Sequence, residues 1–224
     1  MALVIFDCDG TIVDSQAIIV AAMAKAFEAF GLKDPGREAT LSIVGLSLKE
    51  AVRALLPDAD EAFVAQLAEG YRQAYLSLKQ DPALQDALYP GARETITLLG
   101  DRRDLKLGIA TGKSRRGVKT LLEREGFTGL FVTIQTADDA PSKPHPAMVR
   151  QAMAEAGAEP EETMMIGDTT YDIAMALAAR ARAIGVTWGY HAPDQLVAAG
   201  SHALVERFAD LPGVIDGWSA GKRP

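Results

Sequence analysis

Two carboxylates separated by a single residue end an apolar run near the start of the chain. In "VIFDCDGTIVDS", Asp7 and Asp9 follow the apolar residues, and Gly10 comes directly after them. Two like charges this close repel each other, and burial of an unpaired carboxylate is costly. The glycine allows the backbone N–H groups of the turn to approach an anion closely. A metal ion or a reacting phosphate would offset the cost of the paired charges, so this segment is a candidate site for either.

Polar residues also follow other apolar runs, and their types suit the transfer of a phosphoryl group. Thr111 and Gly112 follow "LKLGIA", Lys143 lies in "SKPHP", and Asp168 and Asp172 follow "TMMI". A carboxylate nucleophile needs the charge of the phosphate to be screened, which Mg²⁺ bound by carboxylate oxygens does. A hydroxyl and an ammonium group can then hold the phosphate oxygens that are not transferred.

The apolar runs that precede these residues do not alternate with polar residues, which is typical of strands buried on both faces of a parallel sheet. The runs are "ALVIF", "LKLGIA", "TMMIG" and "ARAIGV", and amphipathic patterns such as "RRGVKTLLEREGF" and "PAMVRQAMAEAG" separate them. Strands that alternate with helices predict a doubly wound, Rossmann-like α/β core. Ligands of such folds bind beyond the carboxyl ends of the strands, where Asp7, Thr111 and Asp168 would all lie.

The segment between residues 15 and 85 has a different pattern, with amphipathic helices and no convincing strand. The helical stretches are "QAIIVAAMAKAFEAF", "SLKEAVRALL" and "EAFVAQLAEGYRQAYLSL". We predict an α-helical cap domain at 15–85, inserted into a catalytic core formed by 1–14 and 86–224. The terminal "SAGKRP" is predicted to be a frayed tail.

The composition restricts the classes to which the protein can belong. Its 224 residues are 48% hydrophobic, enough for a packed core, and the net charge is −7. An acidic chain is not expected to bind nucleic acid, and no apolar run is long enough for a membrane span. One cysteine, Cys8, cannot form an internal disulfide, and no signal-peptide pattern is present, so we expect a cytoplasmic protein. No interface pattern distinguishes a monomer from a homodimer.

Four motifs in order, "DCDGT", "ATGKS", "SKPHP" and "IGDTTYD", resemble those of the haloacid dehalogenase-like hydrolase superfamily. The helical insert after the first motif resembles the small α-helical cap subclass, which includes phosphoglycolate phosphatases and β-phosphoglucomutases. The resemblance covers nearly the whole chain. It implies a Mg²⁺-dependent enzyme that acts on a small phosphorylated metabolite.

The resemblance also implies a role for each motif residue. Asp7 would be the nucleophile that forms an aspartyl-phosphate, and Asp9 would protonate the leaving oxygen and then activate water. Thr111 and Gly112 would bind a phosphate oxygen, and Lys143 would contact both the phosphate and the nucleophile. Mg²⁺ would be held by the Asp7 carboxylate, the Asp9 backbone carbonyl and Asp168, with Asp172 supporting the site through water or through Lys143.

The type of residue at position 9 separates the activities found in this superfamily. Haloacid dehalogenases usually lack an aspartate there and phosphonate-cleaving members usually have alanine, so Asp9 favours cleavage of a C–O–P ester. Phosphomutases usually carry a histidine shortly after the first motif, and "SQAIIVAAMAKAF" has none. We therefore expect a phosphatase for a small organic phosphate monoester, with phosphoglycolate the leading substrate. A mutase of the β-phosphoglucomutase type and an inorganic pyrophosphatase are the alternatives.

One loop of the predicted cap, "IVGLSLKE", is positioned to reach the active site. Its candidates for contact with the substrate are Gly45, Ser47 and Lys49, although a surface position on a helix is the preferred interpretation of the lysine. A phosphate-accepting receiver domain is a different class with similar residues. Such domains are about half this length and lack both the helical insert and the equivalent of Asp9.

Overall fold

The computed structural model describes residues 1–219, so the predicted tail beyond Ser219 lies outside the described residues. The strands are β1 (Ala2–Phe6), β2 (Val13–Asp14), β3 (Ala87–Leu88), β4 (Leu105–Ala110), β5 (Phe131–Gln135), β6 (Thr163–Gly167), β7 (Arg182–Val186) and β8 (Ala203–Val205). The α-helices of the first half are α1 (Gln16–Ala29), α2 (Arg37–Ser42), α3 (Leu48–Leu55), α4 (Glu61–Leu78) and α5 (Ala92–Gly100). Those of the second half are α6 (Arg115–Glu125), α7 (Ala147–Ala156), α8 (Thr170–Ala178), α9 (Pro193–Ala198) and α10 (Leu211–Ser219).

Six strands form one parallel sheet in the order β5-β4-β1-β6-β7-β8. Side chains of the central strand β1 alternate between two apolar clusters, with Val4 and Phe6 on one face and Leu3 and Ile5 on the other. The predicted doubly wound α/β core is confirmed. The sequence pattern did not identify β5 and β8, which are the two edge strands and bury fewer residues than the central ones.

Helices cover both faces of this sheet. On the face of Val4, side chains of α5, α6 and α10 pack, including Ile96, Val118 and Leu211. On the opposite face, α7, α8 and α9 contribute Met148, Ile173 and Leu196, among others. Because both faces are buried, the central strands are apolar throughout, which explains why their pattern does not alternate.

The helices α1, α3 and α4 share an apolar cluster of their own, which includes Met23, Phe27, Val52 and Leu67, and Leu41 of α2 packs with Ile19 of α1. An antiparallel pairing of β2 with β3 joins the two connections between these helices and the sheet. The predicted boundaries at 14/15 and 85/86 fall beside this ribbon, and the division into core and cap domains stays a prediction. Within residues 1–219, no helix combines the length and the apolar character needed to cross a membrane.

Candidate active site

Three of the polar residues singled out in the sequence follow neighbouring strands of the sheet. Asp7 follows β1, Thr111 follows β4, and Asp168 follows β6. β4 and β6 flank β1 on its two sides, so the three residues meet at the carboxyl edge of the sheet. All three are buried. The structure therefore brings together residues that are up to 161 positions apart in the chain.

Lys143 links two carboxylates at this edge. Its Nζ atom lies 2.9 Å from Asp7 Oδ1 and 2.6 Å from Asp172 Oδ1. We call Asp7, Lys143, Asp168 and Asp172 the floor of the site, and all four side chains are buried. Three carboxylates face one ammonium group, so the floor carries two negative charges in excess when all four groups are ionised.

Local structure fixes the carboxylate of Asp172. Thr169 precedes α8, and its backbone N and Oγ1 donate to Asp172 Oδ2 over 3.1 and 2.7 Å. The Asp172 backbone N lies 3.3 Å from Thr169 Oγ1, which completes a reciprocal capping box at the start of the helix. One carboxylate oxygen thus caps the helix while the other contacts Lys143.

Asp168 is held by two donors from distant parts of the chain. Thr11 Oγ1 donates to Asp168 Oδ1 over 2.8 Å, and the backbone N of Tyr190 donates to Oδ2 over 2.9 Å. Sequence reasoning did not assign a role to Thr11. Thr11 stands in the quoted "DCDGT" motif, but its partner is 157 positions away, so only the tertiary structure identifies the contact.

A close approach of the first motif to Asp168 requires a glycine. Gly10 has a φ of 84°, and a Cβ atom there would lie 2.1 Å from Asp168 Oδ2. Any side chain would collide with the carboxylate as well as strain the backbone. The glycine therefore lets the turn after β1 pack directly on the floor.

Asp7 differs from its neighbours because its carboxylate is not satisfied. No group among residues 1–219 donates a well-directed hydrogen bond to either Oδ atom, although both are buried. Burial raises the pKa of Asp7 to about 6, against the effect of Lys143, and the charge of Asp172 adds to the rise. Burial also raises the pKa of Asp168 well above its usual value, with contributions from Asp172 and Asp7.

The carboxylates of the floor fit a binding site for a divalent cation. One oxygen from each of Asp7, Asp168 and Asp172 can be chosen so that all lie within 4.8 Å of one another. Carboxylate oxygens are the ligands that Mg²⁺ prefers, and one divalent ion balances the two excess negative charges of the floor. The unsatisfied oxygens of Asp7 would then have the partner that the described side chains do not supply.

Asp9 lies apart from the floor, in a second ion pair. Its Oδ1 atom is 2.8 Å from Lys113 Nζ and accepts a short hydrogen bond from Ser15 Oγ. We call Asp9, Ser15 and Lys113 the rim of the site. The side chains of Lys113 and Asp9 are 11% and 13% exposed. Burial opposes the charge on Lys113, but the attraction of Asp9 outweighs it together with smaller effects, and the pKa of the lysine is raised.

Sequence reasoning missed Lys113, although it stands in the quoted motif "ATGKS" two positions after Thr111. The feature that could have identified it is a lysine in the loop that directly follows a central strand. Its backbone N lies 3.3 Å from Thr111 Oγ1, so the same loop positions both residues.

Residues 42–47, which run from the last residue of α2 to the start of α3, cover the site and rest on the core at several points. The Ser47 backbone N donates to Ser142 Oγ over 2.7 Å, and Tyr171 Oη donates to the Ser42 carbonyl over 3.1 Å. A Cβ atom on Gly112 would lie 2.7 Å from the carbonyl oxygens of both Gly45 and Leu46. We call residues 42–47 the cap loop.

His191 also contacts the cap loop. The Thr170 backbone N lies 3.1 Å from its Nδ1, which therefore accepts, so the proton of the neutral ring is assigned to Nε2. Nε2 lies 3.3 Å from the Ser42 carbonyl and can donate to it. Burial lowers the pKa of His191, which favours this neutral form. A core side chain thus holds the cap loop closed over the site.

Other residues from the sequence analysis are not part of this group. Lys49 lies on α3 with an exposed side chain and makes no ion pair with the described floor or rim. Its role in substrate binding stays a prediction that the geometry does not favour. Cys8 is buried, and burial together with the charges of Asp7 and Asp9 raises the pKa of its thiol. It is therefore a structural residue and not a nucleophile.

Comparison with known proteins identifies relatives across nearly the whole chain. The family model described as "Haloacid dehalogenase-like hydrolase" matches residues 4–186. A "Probable phosphatase IndB" from Dickeya dadantii is 38% identical over 216 residues, which are 94% of this chain and 92% of the relative. "Pyrophosphatase PpaX" from Bacillus pumilus is 30% identical over 95% of both chains. A "Phosphoglycolate phosphatase" from Pseudomonas putida is 30% identical over 96% of this chain and 80% of its own length.

The fold is shared with solved structures as well. A hydrolase from Pseudomonas syringae superposes with a TM-score of 0.85 and is 28% identical, with 96% of this chain and 98% of that chain covered. The resemblance noted from the four motifs is thereby confirmed. This protein is an enzyme of the haloacid dehalogenase-like hydrolase family.

Proposed function

We propose that this protein is a Mg²⁺-dependent phosphatase that hydrolyses a small phosphate monoester through an aspartyl-phosphate on Asp7. The observation that carries the proposal is the state of that carboxylate. It is buried, neither of its oxygens accepts a well-directed hydrogen bond from the described residues, and its one close partner is the Lys143 ammonium, which it shares with Asp172. A nucleophile needs an unengaged oxygen, which Oδ2 of Asp7 provides, whereas Asp172 uses one oxygen to cap α8 and the other to contact Lys143.

In the first step an oxygen of Asp7 attacks phosphorus, and the bond between phosphorus and the ester oxygen breaks. The leaving oxygen takes a proton from the carboxyl group of Asp9 as the aspartyl-phosphate forms. In the second step a water molecule attacks phosphorus and gives its proton to Asp9. The bond between phosphorus and Asp7 then breaks, which releases inorganic phosphate and restores the carboxylate.

The other site residues hold the phosphoryl group during both steps. The Thr111 hydroxyl and the backbone of Gly112 can donate to phosphoryl oxygens, and the buried ammonium of Lys143 offsets the charge that develops on them. The cap loop excludes water other than the reacting molecule. Thr111, Gly112 and Lys143 all lie at the same edge of the sheet, which supports this assignment.

The residues that would hold Mg²⁺ are Asp7, Asp168 and the Asp9 carbonyl, with Asp172 in support. Bound there, the ion would screen the repulsion between the phosphate and the attacking carboxylate. The excess negative charge of the floor and the raised pKa of Asp7 support this assignment. Both indicate that Lys143 alone does not balance the charge of the carboxylates.

The cap limits the size of the substrate, because the loop of residues 42–47 contacts the core at Ser142, Tyr171 and Gly112. We propose phosphoglycolate as the first substrate to test, in line with the name of the Pseudomonas putida relative. Inorganic pyrophosphate is the second candidate, since the Bacillus pumilus relative is named for it. A mutase is less well supported, because α1 contains no histidine to shield an aspartyl-phosphate.

The test is phosphate release in the presence of Mg²⁺ from phosphoglycolate, pyrophosphate, sugar phosphates, nucleoside monophosphates and p-nitrophenyl phosphate. We expect one small substrate to reach a kcat/KM of at least ~10⁴ M⁻¹s⁻¹. EDTA should stop the reaction and added Mg²⁺ should restore it. Hydrolysis that continues at full rate in EDTA would contradict the metal assignment.

Failure to release phosphate from every compound, the activated aryl ester included, would overturn the phosphatase proposal. Conversion of β-glucose 1-phosphate into its isomer without release of phosphate would identify a mutase instead. The two outcomes are distinguished in one experiment if free phosphate and sugar phosphates are measured in the same samples.

A further inference from the structure

We propose that Lys113 is a specificity-determining residue that binds a second anionic group, a carboxylate or a phosphate, on the leaving group of the substrate. This inference rests on the proposed phosphatase function and narrows its substrate class. Esters that carry such a group close to the ester oxygen would be preferred over neutral esters of the same size.

The two lysines of the site have different surroundings. Lys143 contacts two carboxylates of the floor, and its side chain is 0% exposed. Lys113 contacts a single carboxylate, Asp9, and both partners of this pair are slightly exposed. An ammonium group with one carboxylate partner keeps donors for another anion, since it can donate three hydrogen bonds.

The position of Lys113 suits contact with the leaving group and not with the phosphoryl group. In the proposed reaction Asp9 faces the ester oxygen, and Lys113 Nζ lies 2.8 Å from Asp9 Oδ1. An anion two bonds from the ester oxygen, such as the carboxylate of phosphoglycolate, falls within about two hydrogen-bond lengths of that oxygen. Lys113 can therefore reach the far end of a short substrate.

The surroundings of Lys113 on the cap side are aromatic. Tyr71 and Tyr75 lie on α4, with ring centroids 6.1 Å apart. Burial raises the pKa of Tyr75, and the nearby Lys113 ammonium opposes that rise. Phenol groups and a lysine ammonium can each donate a hydrogen bond to an anionic leaving group. Arg124 also lies near Tyr75, but it is paired with Asp86 and Glu125, whereas Lys113 has one carboxylate partner.

The ion pair between Asp9 and Lys113 uses one donor of the ammonium, and the substrate anion would use another. A purely structural role for the pair is the competing explanation. The recognition and structural explanations predict different results. Replacement of a structural lysine would slow hydrolysis of all substrates alike, whereas replacement of a recognition lysine would slow hydrolysis only of those with the second charge.

The experiment compares phosphoglycolate, pyrophosphate and 2-hydroxyethyl phosphate, in which a neutral alcohol replaces the carboxylate of phosphoglycolate. kcat and KM are measured with Mg²⁺ for the unaltered protein and for Lys113→Met, Lys113→Gln and Lys113→Arg. Lys119→Met is the matched control, because Lys119 lies on α6 with a side chain that is 75% exposed. Hydrolysis of p-nitrophenyl phosphate reports whether each variant folds and retains the chemistry.

We expect Lys113→Met to lower kcat/KM for the preferred anionic substrate roughly 10- to 100-fold more than for 2-hydroxyethyl phosphate, the range typical of a charged hydrogen bond. The differential loss should lie largely in KM, Lys113→Arg should recover most of the preference, and Lys119→Met should not change it. A selective loss with phosphoglycolate identifies a carboxylate, and a selective loss with pyrophosphate identifies a phosphate.

Equal losses for charged and neutral esters would overturn the assignment of Lys113 and leave the phosphatase proposal intact. Absence of phosphate release from every compound by the unaltered protein would instead overturn the phosphatase proposal, and the role of Lys113 with it. If Lys113→Met does not fold, the comparison of Lys113→Gln with Lys113→Arg decides between recognition and structure.

Discussion

The floor and the rim each pair a lysine with carboxylates, yet they are built differently. On the floor, Lys143 and three carboxylates are buried, and the carboxylates are positioned by the ends of β1 and β6 and the start of α8. On the rim, Lys113 and Asp9 form a single, partly exposed pair. The floor belongs to the packed core, whereas the rim faces the helices of the predicted cap.

This difference separates two tasks of a phosphatase. The phosphoryl group is the same in every monoester, so the groups that hold it benefit from a rigid and dry environment. The leaving group varies between substrates, so the groups that recognise it lie where the cap can change their surroundings. We therefore expect changes on the floor to affect all substrates and changes on the rim to affect some more than others.

The largest effect is expected from Asp7→Asn, which removes the nucleophile and keeps its shape. kcat should fall at least ~10³-fold for every substrate, since an amide oxygen does not form the phosphoenzyme. Asp58→Asn, on an exposed residue of the predicted cap, is the matched control. Steady-state phosphate release and thermal unfolding check the result. Retention of more than a few per cent of the activity by a folded Asp7→Asn protein would show that another residue is the nucleophile.

A large effect on stability is expected from Lys143→Met. Removal of its ammonium leaves Asp7 and Asp172 buried without a cation, so the free energy of unfolding in EDTA should fall by about 3–5 kcal/mol at pH 8. Lys113→Met should cost less than half of that, because Asp9 keeps its contact with Ser15 and with solvent. Urea unfolding of the two variants measures the difference, and equal losses would show that floor and rim do not differ in burial cost.

The loss caused by Lys143→Met should also depend on pH. The pKa of Asp7 is already raised to about 6 in the folded protein, above the value of 3.8 for a free side chain, and removal of the ammonium raises it further. The folded state then binds a proton that the unfolded state lacks, so stability increases as the pH falls through the folded pKa. The variant should therefore recover part of its stability between pH 8 and pH 5 in EDTA, and a loss that is independent of pH would contradict the charge argument.

A smaller effect is expected from Gly112→Ala, which tests the contact between the core and the cap loop. The new Cβ atom would lie 2.7 Å from two carbonyl oxygens of that loop, so the closed cap should be disfavoured. We expect kcat/KM to fall about 10-fold, in line with the sensitivity of catalysis to small misplacements. Gly213→Ala on α10, where nothing surrounds the added methyl group, is the control. An unchanged kcat/KM would show that closure of the loop does not limit turnover.

Much of the floor could be predicted from the sequence, because each of its residues belongs to a motif at a strand end or in a loop. Asp7 and Asp168 follow runs whose apolar character identifies central strands, and Lys143 and Asp172 stand in quoted motifs. The rim was predicted only in part. Asp9 was identified from its spacing, but Lys113 was not, since a lysine in a loop is an ordinary surface residue in most proteins.

The sequence by itself indicated the central strands β1, β4, β6 and β7, the helices between them and the carboxylates that converge, because these depend on local periodicity and on motifs within a few residues. Only the tertiary structure decided the contacts that join distant segments. Thr11 with Asp168, Lys113 with Asp9, and the cap loop with Ser142 and Gly112 depend on distances between segments that local patterns do not encode. The physical reason is that burial and ion pairing depend on what surrounds a side chain in space, and those neighbours come from the whole chain.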